Sequence, residues 1–332
     1  MIIVNIYKII DGIYHYIESD KMEKRKLQET GHGTIIVSLP KKWVRVNKLQ
    51  KGDSVTVTYH EDYLIISVPR AEKIQAEIKF IGIETTFREI VSKYIQGFDR
   101  INVVASPSQW RELKKVREYT IKKLPGVEIT DTENGIFIEV VASAESYGIE
   151  RILERINLNL TWMITSIKQA LETKDTELLR EVCEKDDEID RLNLLANRYI
   201  FLILKNPEFF KLKEKVMHFK IILDKFESIG DSVESVARNL ISVIGNKNFP
   251  VRKFSEVLDV MEKLISDTVK AFFSLDKQLA NKIILRGNEF SKTALSKLRK
   301  ISISENFVIA VENLSRVGQL CKEAGEAIID FV

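Results

Sequence analysis

The chain holds only two cysteines in 332 residues, Cys183 and Cys321. Both fall inside apolar, helix-like patterns, which excludes a disulfide framework and a thiolate metal site and fits a reducing cytoplasm. No apolar run is long enough to cross a bilayer. The most apolar terminus, Met1 to Ile17, is broken by Asn5, Lys8, Asp11, Gly12 and His15, and it lacks the layout of a secretory signal. No phosphate-cradling glycine loop is visible, and no nucleophile, base and orienting group converge in sequence. Bundle sites for di-iron chemistry usually add Glu-x-x-His ligands, whereas His218 stands nine residues from Glu227 on another face. A carboxylate-bridged metalloenzyme is therefore the weakest reading, and the chain is expected not to be an enzyme.

What remains is 45% hydrophobic and 30% charged, enough for two or three compact domains. The net charge of +3 hides an asymmetry. Between Lys24 and Lys51 lie Lys24, Arg25, Lys26, Lys41, Lys42, Arg45, Lys48 and Lys51 against the single acid Glu29, giving +7 and leaving −4 for the rest. Such a local excess points to a polyanion partner for one segment only; the alternative is an ordinary solvated basic face. A recognisable domain pattern begins only after Met22. Residues 1–21 are thus expected either to precede the true start or to dock on the rest as an N-terminal strand.

From Lys24 to Val68 the pattern is strand-like. Gly31 and Gly33 flank a turn, Thr34 to Leu39 is rich in β-branched residues, and Val55, Val57 and Tyr59 alternate with Thr56 and Thr58. Pro40 suits the start of a short helix over Lys41 to Asn47, and Gly52-Asp53 supplies the next turn. The strand leading into Pro40-Lys41, the helix with Trp43 and Val44, the Leu49-x-x-Gly52-Asp53 turn and the closing strands resemble the AbrB/SpoVT family of swapped-hairpin DNA-binding domains. That resemblance implies an interlocked homodimer or higher homo-oligomer, with residues 22–70 as the DNA-binding domain. Lys24, Arg25, Lys26, Lys41, Lys42, Arg45 and Lys48 are the expected DNA contacts, and Trp43 is expected in the core.

Residues 71–145 read as a small α/β linker domain: strand Ile74 to Phe80, helix Thr86 to Gln96, strand Ile101 to Ala105, helix Gln109 to Leu124, and a hairpin around Glu133-Asn134-Gly135. Its expected role is a spacer or dimerisation module, with a small-ligand sensor as the alternative.

Beyond Tyr147 the chain is helical, with Ile149, Leu153, Ile156, Leu160, Met163 and Ile167 recurring as a bundle seam. Further helices run roughly from Thr176 to Leu204, Leu212 to Ile244, Phe254 to Leu275, Lys277 to Arg299 and Glu305 to Phe331, with a break at Asn206-Pro207. The fold class is therefore multidomain, closing with an all-α bundle of two three-helix repeats, 146–246 and 250–332. Glu227-Ser-Ile-Gly230-Asp231 and Ser315-Arg-Val-Gly318-Gln319 occupy the same context at an offset of 88, which supports an internal duplication.

Asp186, Asp190, Asn193 and Asn197 share one helical stripe, and Glu227, Asp231, Glu234 and Arg238 repeat the spacing on the next helix. Carboxylates four apart repel, and desolvation beside a core adds to the cost, so something positive must compensate. Hard cations take carboxylate oxygens delivered by facing helices. The alternatives are a solvated face with Lys185, Arg191 and Lys225 as partners, or Arg238 as the neutralising charge. The run from Val182 to Leu192 and the Glu-Ser-Ile-Gly-Asp element resemble the PhoU family, whose paired motifs bind metal clusters. This resemblance implies metal ions (Fe, Mn, Mg or Zn) on Asp186, Asp190, Glu227 and Asp231; Asp224 and Glu234, three residues before and after members of the second pair, are further candidates by their spacing. It implies a negative regulator linking the phosphate transporter to the phosphate response. A fusion of the two parts resembles phosphate-uptake regulators of archaea. In the second repeat Ser315 and Gln319 replace the carboxylates, and Gly287 with Ser291 best matches the Asp186 pair, so metal is expected in the first repeat alone. The expected function is a cytoplasmic, metal-sensing transcriptional regulator of phosphate uptake. Its rival is an adaptor acting on the transporter ATPase without specific DNA binding.

Overall fold

A computed structural model describes residues 23–31, 33–59, 61–68, 73–141, 148–206, 213–298, 300–301 and 303–331, with backbone alone at 214, 293–295 and 297. The N-terminal extension expected at 1–21 lies outside these residues. The chain divides into two compact units, Met1–Ala71 and Glu72–Val332.

The first unit consists of two antiparallel hairpins flanking a short helix. β1 (Gln28–Thr30) pairs with β2 (Thr34–Ile36), and β3 (Thr56–Tyr59) pairs with β4 (Leu64–Ser67). Gly33 at φ +81° makes the first turn, a conformation that L side chains rarely adopt. Pro40 caps α1 (Lys41–Val46), where its missing N–H costs nothing. The Gly52-Asp53 turn closes with Asp53 Oδ2 accepting from Gln50 N at 2.7 Å.

The second unit opens with a four-stranded sheet in the order β5-β6-β8-β7, formed by β5 (Gln75–Lys79), β6 (Arg100–Val104), β7 (Val127–Thr132) and β8 (Gly135–Val140). The crossover helix α2 (Ile83–Ile95) makes β5 and β6 parallel, and the hairpin makes β7 and β8 antiparallel. Along β5, Ala76 and Ile78 point inward while Gln75, Glu77 and Lys79 point out, the period of two that a one-sided sheet demands. The inward face packs on Ile90 and Tyr94 of α2 and on Leu113 and Val116 of α3 (Trp110–Lys123). Gly135 at φ +150° is obligatory, since a Cβ there would stand 1.9 Å from Val103 O.

Six long helices follow: α4 (Ile149–Thr173), α5 (Thr176–Lys205), α6 (Lys213–Leu240), α7 (Val251–Ser274), α8 (Lys277–Leu298) and α9 (Glu305–Asp330). They share one continuous core in which Ile156, Leu160, Phe226, Phe254 and Phe307 are fully buried. The chain turns identically in both halves. A left-handed residue, Lys174 or Leu275, is followed by Asp175 or Asp276, whose carboxylate accepts from the two amides that open α5 or α8. These turns lie 101 positions apart. The same step of 101 carries Asp186 and Asp190 onto Gly287 and Ser291, in agreement with the alignment expected from sequence. No described helix is long and apolar enough to cross a membrane.

The α/β unit is docked on the bundle through α5, where a spacer was one expectation. Arg198 is almost wholly buried; its guanidinium donates to Tyr94 O and Phe98 O, each at 2.7 Å, and to Asp99 Oδ1 at 3.1 Å. A buried arginine needs such acceptors to offset desolvation; Tyr94 O lies at the C-terminal end of α2, and Phe98 O and Asp99 lie in the segment after it. Lys205 adds a bond to Gln96 O at 2.6 Å, and Leu194 packs against the α/β core.

Candidate functional site

The acid stripes of α5 and α6 face each other. One oxygen each from Asp186, Asp190 and Asp231 can be chosen so that all lie within 4.8 Å of one another. Gly230 makes this approach feasible, because a Cβ there would sit 3.0 Å from Asp186 Oδ1 and 3.1 Å from the end of Ile189. Behind the cluster Val182, Ile189, Phe226, Ile229 and Val233 are fully buried, so the carboxylates stand on an apolar floor.

The electrostatic cost is visible. Asp186 Oδ1 is buried without a hydrogen-bond partner. Burial first, then the charges of Asp190, Asp231, Glu234 and Glu227, push the Asp186 carboxyl up to about 7. Burial and acidic neighbours also raise Glu227 and Asp231, the latter held back by the charge of Arg316 from α9.

Each residue singled out from sequence can now be placed. Asp186, Asp190 and Asp231 converge, whereas Glu227 stays outside that trio and lines a neighbouring cavity with Asp190. Asp224 is an exposed residue paired with Lys220. Glu234, only 12% exposed, accepts from Arg238. Each is thus engaged by a basic partner on its own helix, although the Glu234 charge still acts on Asp186 and Asp231. The cations proposed as surface partners are engaged elsewhere: Lys185 with Glu188, Lys225 with Glu323 on α9, while Arg191 acts on Tyr94. His218 stacks on Phe331 with ring centroids 3.6 Å apart, away from the carboxylates.

Sequence reading missed the cation that does touch the cluster. Lys123, at the end of α3, donates to Asp187 Oδ1 at 2.6 Å and to Asp190 Oδ2 at 2.9 Å, and Lys122 reaches Asp187 Oδ2 at 2.8 Å. Beside it opens a cavity of about 370 Å³ lined by Phe87, Arg88 and Val91 of α2, Lys123, Asp190, Asn193 and Leu194, and Glu227. More than sixty residues separate Lys123 from Asp190, so only the docking of the α/β unit could reveal the pair.

The donor set suits a hard cation. Three carboxylates offer oxygen only, and Cys183, with its thiol pushed up to about 11 by burial, donates weakly to Glu234 O instead of standing ready as a thiolate. The unpartnered Asp186 oxygen is the atom a cation would satisfy.

In the first unit, no described residue from 23 to 68 is buried. Lys41, Lys42 and Arg45 are exposed on α1, with Trp43 half-buried between them, and Lys48 follows at φ +55°. Lys24 and Lys26 are exposed, and Arg25 is paired with Glu23. On β3 the apolar Val57 and Tyr59 are the exposed side chains, while Thr56 and Thr58 are half-buried.

The geometry meets known proteins at two places. The family model for the PhoU domain matches residues 153–240, which span nearly all of α4, α5 and α6. The model described as antidote-toxin recognition MazE, bacterial antitoxin, matches residues 28–75. Among solved structures, PhoU from Pseudomonas aeruginosa is similar with a TM-score of 0.49 and 19% sequence identity, over 57% of this chain and 97% of that one. No curated protein matches the chain. A small β-rich domain of MazE/AbrB type thus stands ahead of a helix-rich region with a PhoU domain, and both families are regulatory, not enzymatic. These domains suggest phosphate-homeostasis regulation and DNA binding.

Proposed function

We propose that this chain, with a MazE/AbrB-type domain and a PhoU domain in one polypeptide, is a transcriptional regulator of phosphate uptake that binds duplex DNA as a dimer and senses through a metal on Asp186, Asp190 and Asp231. The observation that carries the reading is the N-terminal unit, which combines the +7 segment with apolar side chains of which none among the described residues is buried. Two-stranded hairpins with no buried residue cannot hold themselves together, so a second copy is the partner that would cover Val57, Tyr59 and Leu64. Dimerisation would bring two sets of Lys41, Lys42 and Arg45 to one duplex. A DNA partner puts the site of action in the cytoplasm.

In the helical region Asp186, Asp190 and Asp231 would hold the ion, with Glu227 at the edge. Mg²⁺, Mn²⁺ or an iron ion fits these oxygens better than Zn²⁺, which accepts nitrogen and sulfur more readily. A bound cation would remove the repulsion that raises Asp186. The test for the whole reading is a gel-shift salt series with the full chain, with and without chelator. Each phosphate neutralised contributes about −0.9 to the log-log slope, so replacing Lys41, Lys42 and Arg45 with alanine should flatten the slope as well as weaken binding. No binding to any duplex at low salt removes the DNA-binding reading and leaves the adaptor on the phosphate transporter's ATPase, which the PhoU match favours by itself.

A further inference from the structure

We propose that Lys123 is a built-in counter-cation of the acid cluster, a latch reaching from the α/β unit that a metal ion displaces. This rests on the metal reading above and adds a route by which occupancy of the bundle alters the docking of its neighbour.

Two of the polar contacts between the α/β unit and α5 differ in character. At one end Arg198 is buried and bonded to three acceptors, an anchor with no freedom to leave. At the other end Lys123 is about one-third exposed and stands at the last position of its helix. The chain behind it is tethered through Leu124, which is buried, and Pro125 O, which accepts from the Tyr94 hydroxyl at 3.0 Å. Arg198 lies eight residues from Asp190, about 12 Å along the helix, so the two contacts are spaced like a hinge and a catch.

Lys123 holds one of the three carboxylates that a cation needs. Its ammonium lies 2.9 Å from Asp190 Oδ2, and an ion drawing an oxygen from each of Asp186, Asp190 and Asp231 would meet that charge on the same carboxylate. Two cations on one half-buried carboxylate repel strongly, so occupancy favours withdrawal of the lysine. The cavity beside it gives the side chain room to swing, and Asp187, held also by Lys122, becomes the remaining tether. Coupling of this kind is reciprocal: whatever loosens the latch tightens metal binding.

The test titrates Mn²⁺ into the full-length protein as wild type, Lys123→Met and Lys123→Arg, with calorimetry and hydrogen exchange over residues 120–126 as readouts. Lys123→Met should bind Mn²⁺ about fivefold tighter, the size that two partly exposed ion pairs support. Its last α3 turn should exchange faster before any metal is added, wild type should reach that rate only on adding Mn²⁺, and Lys123→Arg should stay near wild type. Equal affinity with unchanged exchange overturns the latch and leaves the metal reading standing. Tighter binding with unchanged exchange means repulsion at a fixed position, which also overturns it. Absence of Mn²⁺ uptake by wild type and both variants removes the metal reading itself.

Discussion

The two helical repeats share a scaffold and use it in opposite ways. Where the first places Asp186, Asp190, Glu227 and Asp231, the second places Gly287, Ser291, Ser315 and Gln319. In the second repeat, Ser291 Oγ lies 2.9 Å from Ser315 O and 3.0 Å from Gly287 O, and Ser315 Oγ lies 3.4 Å from Ser291 O. Its helices touch through glycine: a Cβ on Gly287 would stand 2.6 Å from Gly318 O. In the first repeat the matching glycine faces a carboxylate whose oxygen has no partner. The scaffold therefore packs well with small, satisfied groups, and the charges of the first repeat are not required by the fold. A strained acid cluster kept beside an available neutral solution is the arrangement expected of a binding site.

The largest expected effect breaks the comparison by neutralising the first repeat. Asp186→Asn with Asp231→Asn spares the partner of Lys123 and leaves one carboxylate of the trio. Mn²⁺ affinity should fall well beyond the about 10–100-fold that loss of an outer metal-site partner costs. The metal-free variant should melt at or above the wild-type temperature, because repulsion is relieved, and chelator should no longer shift its melting point. A double variant that still takes up the ion with wild-type affinity would place the site elsewhere.

Exchanging glycine for alanine sharpens the comparison from the other side. At Gly318, the counterpart of Gly230, the new methyl meets the buried Phe290 ring at 2.6 Å and Gly287 O at 3.1 Å, so overpacking should cost about 1–3 kcal/mol in urea unfolding. At Gly230 it meets Asp186 Oδ1 and the tip of Ile189 at 3.0–3.1 Å, side-chain atoms that can shift by a few tenths of an ångström. The gain in helix propensity, about 1 kcal/mol, should then leave stability near wild type while displacing Asp186 and weakening metal binding. Equal destabilisation at the two glycines would mean that the repeats pack alike.

Much of this contrast was legible in the sequence, because it depends on helical period and on residue type. The stripes, the glycine between them, the offset of 88 and the missing acids at Ser315 and Gln319 follow from local pattern, and so do the strand alternation and the turns of the α/β unit. The cation on Asp190 was not legible. Lysines are common on exposed helix faces, and α3 alone carries Arg111, Lys114, Lys115, Arg117, Lys122 and Lys123, so nothing local marks Lys123 as the one that crosses to another domain. Arg198 was hidden for the same reason. The selection of Asp190 over Glu227 depends on the rotation of two helices, which spacing leaves open.

A smaller effect concerns pH. Asp186 is raised from 3.8 to about 7, so between those values the folded metal-free protein holds more protons than the unfolded chain. Stability must then fall as pH rises through that window, and the raised Glu227 and Asp231 act in the same direction. Asp187, lowered by its lysine partners, adds stability that is lost only on acidifying below its ordinary range. Melting of metal-free protein should be highest near pH 5 and drop by a few degrees toward pH 8, and Asp186→Asn should flatten the drop. The second repeat has no counterpart, since Gly287 occupies that position. A flat profile in wild type would show that the cluster is not strained.

The smallest expected effect decides whether the first repeat supplies its own compensation. Arg238 lies one turn beyond Glu234 on α6, and from spacing alone it could neutralise the whole stripe. Its side chain is 71% exposed and pairs with Glu234, through bonds from Nε and Nη2 to one oxygen. Asp186 Oδ1 remains without a partner although Arg238 is present, and the Asp186 carboxyl remains raised. Exposed pairs four apart on a helix are worth about 0.3–0.5 kcal/mol, so Arg238→Gln should cost little more than that, allowing for the partly buried Glu234 it leaves behind. Mn²⁺ affinity and the pH dependence of melting should stay close to wild type. Were Arg238 the compensating charge, its removal would raise the acids further, steepen the loss of stability toward pH 8 and make the variant depend on metal where wild type does not. Melting curves of wild type and Arg238→Gln at pH 5 and pH 8, each with chelator and with Mn²⁺, separate the two, and only the second pattern would make the acid cluster a self-neutralised surface.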